Sequence, residues 1–178
     1  SGLGEHFLAI GTPGEANTSD YWLYVEDTTF SHDRGYHSEP FDLEISSDTL
    51  GAQIYYTFDG SEPSQSNGTL YTSPITIDST TVVRAIAFRT NYAPTNVDTH
   101  SYFFMDDVLN QPTNPAGFPT SWNGIAANYQ VDPDIVNHPV YAEEIADDMQ
   151  AIPTLSLVTT VEDMFGPSGI YANPGSRG

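Results

Sequence analysis

The chain has 178 residues, 38% hydrophobic and 12% aromatic, enough for one ordinary domain or for one small domain with flanking pieces. It carries 24 acidic residues against 4 basic ones, giving a net charge of -20, and this argues against nucleic acid and anionic membranes as partners. With no cysteine there can be no disulfide staple, thiolate metal site or Cys nucleophile, and no run approaches the ~18 apolar residues of a membrane span.

Residues 1–20 are turn-rich and read as a linker or the end of a preceding domain. Gly11-Thr12-Pro13-Gly14-Glu15-Ala16-Asn17 is their loop. A β module is expected over 21–105. Trp22, Tyr24 and Phe30 open it. Phe41, Leu43 and Ile45 then alternate with polar residues as one half-buried strand. Gln53 to Phe58 is the next strand, with Ile54, Tyr56 and Phe58 on one face. The Asp59-Gly60 pair behind it is a strong turn signal.

Leu70-Tyr71 and Ile75–Ile77 read as short strands. Thr81 to Phe88 is the strongest strand, with Val83, Ala85 and Ala87 on one face and Val82, Arg84, Ile86 and Phe88 on the other. A strand apolar on both faces is central or covered by a neighbouring segment. Thr99 to Phe104 closes the module. Short strands separated by turns every ~8–12 residues predict an antiparallel β-sandwich.

Residues 106–178 read as a Pro- and Asp-rich connector, a helix over about 139–150 and the start of a following domain. The helix is expected from Asn137 or His138 as cap, Pro139 at its first position and the spacing of Tyr141, Ile145 and Met149. Ile152 to Thr159 reads as a buried strand. The chain opens Ser1-Gly2 and closes Ser176-Arg177-Gly178, which reads as a fragment of something longer.

The segments Ile54-Tyr55-Tyr56-Thr57-Phe58-Asp59-Gly60-Ser61-Glu62-Pro63, Tyr71-Thr72-Ser73-Pro74-Ile75 and Thr81-Val82-Val83-Arg84-Ala85-Ile86-Ala87-Phe88 resemble, in that order, the chitobiase/β-hexosaminidase C-terminal-type module. The resemblance implies an immunoglobulin- or fibronectin-III-like sandwich, itself non-catalytic, that accompanies catalytic domains in secreted bacterial glycosidases and surface proteins. Thr12 to Asn17 is similar to the closing motif of lamin-tail-type domains. Ile152 to Asn173 is similar to the opening of CotH-like kinase domains. That kinase family's nucleotide and metal residues would lie past Gly178, so no kinase activity is carried over.

Asp59, Glu62, Asp132 and Asp134 are the carboxylates that could hold calcium, but EF-hand spacing is absent and Asp59 suits a turn cap. Tyr55, Tyr71, Tyr92 and Trp122, with Trp22, are the aromatics that could stack on sugar rings. Packing against flanking segments is the commoner fate of such residues. The five histidines show no HExxH-like spacing, and no Gly-x-Ser-x-Gly elbow occurs. With so many acids, each Arg is expected to have a carboxylate partner, Arg84 above all. Asn17-Thr18-Ser19 and Asn67-Gly68-Thr69 match a glycosylation sequon by accident of composition.

The sequence therefore reads as a non-catalytic spacer module of a secreted or cell-surface bacterial protein, needing no cofactor. Its expected partners are neighbouring domains of the same chain. Carbohydrate binding to a polysaccharide and calcium-stabilised adhesion are the alternatives.

Overall fold

The computed structural model of the protein describes residues 7–8, 21–122 and 124–173. The Thr12–Asn17 motif, the first sequon and the side chains of Trp22 and Trp122 lie outside the described residues. In chain order the strands are β1 (Phe7–Leu8), β2 (Tyr21–Tyr24), β3 (Thr28–Phe30), β4 (Gly35–Tyr36), β5 (Phe41–Leu43), β6 (Ile45–Ser47) and β7 (Gln53–Thr57). There follow β8 (Thr69–Leu70), β9 (Ile75–Ile77), β10 (Thr81–Phe88), β11 (Tyr92–Ala93), β12 (Asp98–Phe103), β13 (Ser121–Trp122) and β14 (Ile125–Ala126).

The architecture is a fibronectin-III-like antiparallel β-sandwich built around β10. One layer is a five-stranded sheet in the order β4-β12-β10-β7-β8, antiparallel except where β4 runs alongside β12. The facing layer comes from the pairs β3–β6 and β5–β9. Val83, Ala85 and Ala87 on the inner face of β10 are fully buried, and Leu43, Ile45 and Ile77 meet them from the other layer. The two alanines let the layers approach closely, and the larger side chains opposite fill the gap. Tyr102 of β12 is also fully buried, and its hydroxyl donates to the His32 carbonyl at 3.1 Å. A third group, β1-β2-β11, adds Val25 to this core just past β2.

The expected single strand from Phe41 is broken at Glu44. Its amide donates to the Ser31 hydroxyl and its carbonyl accepts from the Ser31 amide, both at 2.9 Å. Ser31 thus takes both backbone groups of Glu44, and the chain switches partner there, from β9 to β3. Along β7, Ile54 is buried and Tyr56 packs on the core, whereas Phe58 lies beyond the strand end and is 47% exposed.

Past Phe104 the chain is irregular, and the described residues there form the short helices α1 (Met105–Leu109), α2 (Pro133–Val136), α3 (Ile145–Ala151) and α4 (Val161–Phe165). The helix expected over about 139–150 is therefore shorter and starts later. Asp132 caps Pro133 and Asp134 into α2 at 2.9 Å. His138 Nδ1 then accepts from the Val140 amide at 3.2 Å, so Pro139 sits in a turn, and a 3-10 segment at Tyr141–Glu143 precedes α3. Among the described residues no helix is long and apolar enough to cross a membrane.

Leu43→Ala, at the fully buried centre, is expected to cost about 2–5 kcal/mol. Leu50→Ala, at an 86% exposed position, should stay within about 0.5 kcal/mol. Urea denaturation of the two variants measures both.

Candidate functional site

The feature that organises the outer face of the five-stranded sheet is the turn after β7. Gly60 sits at φ 77°, a conformation that costs a side-chain-bearing residue about 1–2 kcal/mol. Asp59 Oδ1 accepts from the Ser61 hydroxyl at 2.5 Å and from its amide at 3.0 Å, which holds the Asp59 carboxyl below the usual carboxylate range. The Thr57 hydroxyl donates to the Ser61 carbonyl at 2.7 Å, and Pro63 is fully buried. Asn67 Nδ2 closes the loop on the Glu62 carbonyl at 2.9 Å.

Arg84, on the outer face of β10, fastens this turn. Its Nη1 donates to the Gly60 carbonyl at 2.8 Å and its Nε to the Thr99 hydroxyl at 3.3 Å. The expectation of a carboxylate partner for Arg84 is overturned. The guanidinium spans three neighbouring strands, and its partners there are a carbonyl and a hydroxyl.

Against this face lies the extended segment 152–160, which we call the strap. The Tyr36 and Thr154 hydroxyls are 3.0 Å apart, and the Ser101 and Ser156 hydroxyls 2.7 Å. Farther along, a Cβ added at Gly60 would come within 2.7 Å of the Thr159 carbonyl oxygen. Thr154, Ser156 and Val158 thus alternate towards the sheet, while Leu155 and Leu157 point out, 82% and 77% exposed. The buried strand expected at 152–159 is therefore corrected. The segment is extended, but its amides from Thr154 to Thr159 have no hydrogen-bond partner among the described residues. The segment crosses the outer face, from Tyr36 of β4 over Ser101 of β12 to the turn after β7, and pairs with neither edge strand. Beside the turn, strap, sheet and α4 line a cavity of about 530 Å³, with Phe58, Val82, Phe118, Leu157, Met164 and Phe165 in its walls.

The aromatic candidates sit apart. Tyr55 is half-buried on β7, edge-on to Phe88 at 5.9 Å. Tyr71 packs on the core near Tyr56, and Tyr92 lies under the Arg89 guanidinium at 4.5 Å. The Trp122 side chain is outside the described residues. Of the carboxylate candidates, Asp59 is committed to Ser61 and Asp132 to its helix cap, while Glu62 and Asp134 are exposed. Among the described residues no three His, Cys, Asp or Glu are arranged to hold a metal ion. Tyr36, Ser101 and Ser156 were missed in the sequence. The only trace of their pairing is the alternation of Thr154, Ser156 and Val158.

Residues 43–102 match the family model described as Fn3 associated. No curated protein and no solved structure gives a significant match. The matched stretch runs from β5 to β12, so it takes in Gly60 and Arg84 and supports a structural β module of fibronectin-III type.

Gly60→Ala is expected to cost at least about 1–2 kcal/mol through its backbone conformation alone. Because of the 2.7 Å approach, its chemical-shift changes should extend to Val158–Thr160. Changes confined to residues 59–61 would place the strap elsewhere.

Proposed function

We propose that this chain is a non-catalytic spacer of a larger secreted or cell-surface bacterial protein, and that it fixes the orientation of the chain that follows the sandwich. The observation that carries this reading is the strap. Two hydroxyl pairs and one glycine contact, spread over six residues, hold a stretch without secondary structure of its own on the sheet. Such contacts set direction more than they add stability, since each hydrogen bond is worth only about 0.5–1.5 kcal/mol net. On this reading residues 106–151 are a connector and 152–173 the opening of a following domain. The likenesses to the chitobiase-type module and to CotH-like kinases are in keeping with such a neighbourhood.

Carbohydrate binding would call for a row of exposed aromatics, and Tyr55, Tyr71 and Tyr92 lie on three separate elements. Calcium-stabilised adhesion would call for convergent carboxylates, and Asp59 and Asp132 are already engaged by their own loops.

Ser156→Ala tests the reading from outside the sandwich. It leaves the buried Ser101 hydroxyl without its partner, so a loss of about 1 kcal/mol in urea denaturation is expected. No change in stability would mean that the strap is not held. The melting temperature is expected to be the same in EDTA and in millimolar calcium, and a rise with calcium would favour the adhesion reading.

A further inference from the structure

Three of the five histidines, distant in sequence, meet at one end of the sandwich around Tyr102. His32 stacks on Phe41 with ring centroids 4.1 Å apart, and His37 lies 4.5 Å from Phe41 and 5.4 Å from Tyr102. The His32 and His37 rings are 6.2 Å apart. His100 stacks on Phe30 at 4.1 Å, with Nδ1 3.2 Å from the Tyr102 hydroxyl, which itself donates to the His32 carbonyl. His37 Nε2 donates to the Asp33 carbonyl at 2.9 Å. These contacts fold the loop 31–40 onto β12. The same loop carries β4, the edge strand, whose exit is tied by the His37 amide donating to the Phe103 carbonyl at 2.9 Å.

The charged neighbours come from every element around the cluster. Asp98 and Tyr102 face His100 from its own strand, and Asp33 and Arg34 face it from the loop. Asp98 is also held by the Thr28 hydroxyl and the Asn96 amide, with Asp27 beside it. His37 shares a cavity with Asp78, Asp106 and Asp107.

We propose that this cluster is an acid-sensitive latch on β4: neutral His100 keeps the loop 31–40 closed on β12, and a proton on His100 in mildly acidic medium opens it. The half-buried imidazolium would face Arg34 with too little water around it. Burial first, and Arg34 second, lower the His100 pKa, while the His32 carbonyl, then Asp98 and Asp33, oppose more weakly. The unfolded or opened loop therefore binds the proton more tightly. Stability of the closed loop is complete above the ordinary histidine value of about 6.5 and is lost as the pH falls below it, towards the lowered value. Opening would also draw Tyr36 away from Thr154, an extension that rests on the positioning role of the strap.

Amide hydrogen exchange on the whole chain, corrected for intrinsic rates, tests the latch between pH 7.5 and 5. Opening at the His37 amide should rise by up to about tenfold per pH unit once His100 titrates, while the amides of β10 keep their protection. His100→Phe, which keeps the stack and cannot take a proton, should make the opening independent of pH; His100→Gln serves if the Phe variant misfolds. Equal opening at the two pH values, or pH dependence retained in the variant, would overturn the latch. A Tyr36–Thr154 NOE that survives in acid while β4 opens would overturn the extension to the strap alone.

Discussion

The hydrogen bond from Arg84 to the Gly60 carbonyl is the constraint on which the outer half of the structure depends. Arg84 stands on β10, the central strand, so its Cβ is fixed by pairing on both sides. Its guanidinium holds the turn after β7 where Gly60 can be approached by Thr159. A planar fork with several donors can reach a carbonyl on one neighbour and a hydroxyl on the other at once, which a lysine ammonium on a flexible stem cannot do in a fixed geometry. The turn in turn keeps Pro63 buried and ends β7, which leaves the sheet face open for the strap.

Elsewhere in this chain of net charge -20 the long-range ties are neutral. The backbone is bracketed by hydroxyls. Thr49 accepts from the Glu26 amide at 2.7 Å, Thr80 from the Phe104 amide at 2.9 Å and Thr95 from the Ala87 amide at 3.0 Å. Each such bracket closes a loop between elements without placing a charge inside. Neutral hydrogen bonds are little affected by ionic strength, whereas the repulsion among surface carboxylates is screened by it. The acids are free to serve as a solvated coat, and added salt should weaken only their repulsion.

Much of the sandwich could be read directly. The range of β10 and its buried row of Val83, Ala85 and Ala87 follow from alternation alone, because a central strand leaves no ambiguity of face. The Asp59-Gly60 turn was legible for the same local reason: its chemistry lies within three residues. What could not be read depends on distant partners. The break at Glu44 is set by Ser31, thirteen residues away, and the helix start at Ile145 by the turns that Asp132 and His138 impose upstream. The strap was legible as extended chain, but its path over the outer face is set by Tyr36, Ser101 and Gly60, distant partners that no local window contains. The histidine cluster was invisible because His32, His37 and His100 share no spacing.

The central claim is that the strap is a fixed part of the module. Backbone ¹⁵N relaxation of Thr154 to Thr159 tests it most directly, because these amides have no hydrogen-bond partner among the described residues and the stretch is ordered by its hydroxyl pairs and its approach to Gly60. The account predicts order parameters near the rigid-backbone value of about 0.85 through this stretch. Values below about 0.6, with β10 remaining rigid, would show a free tail and contradict it.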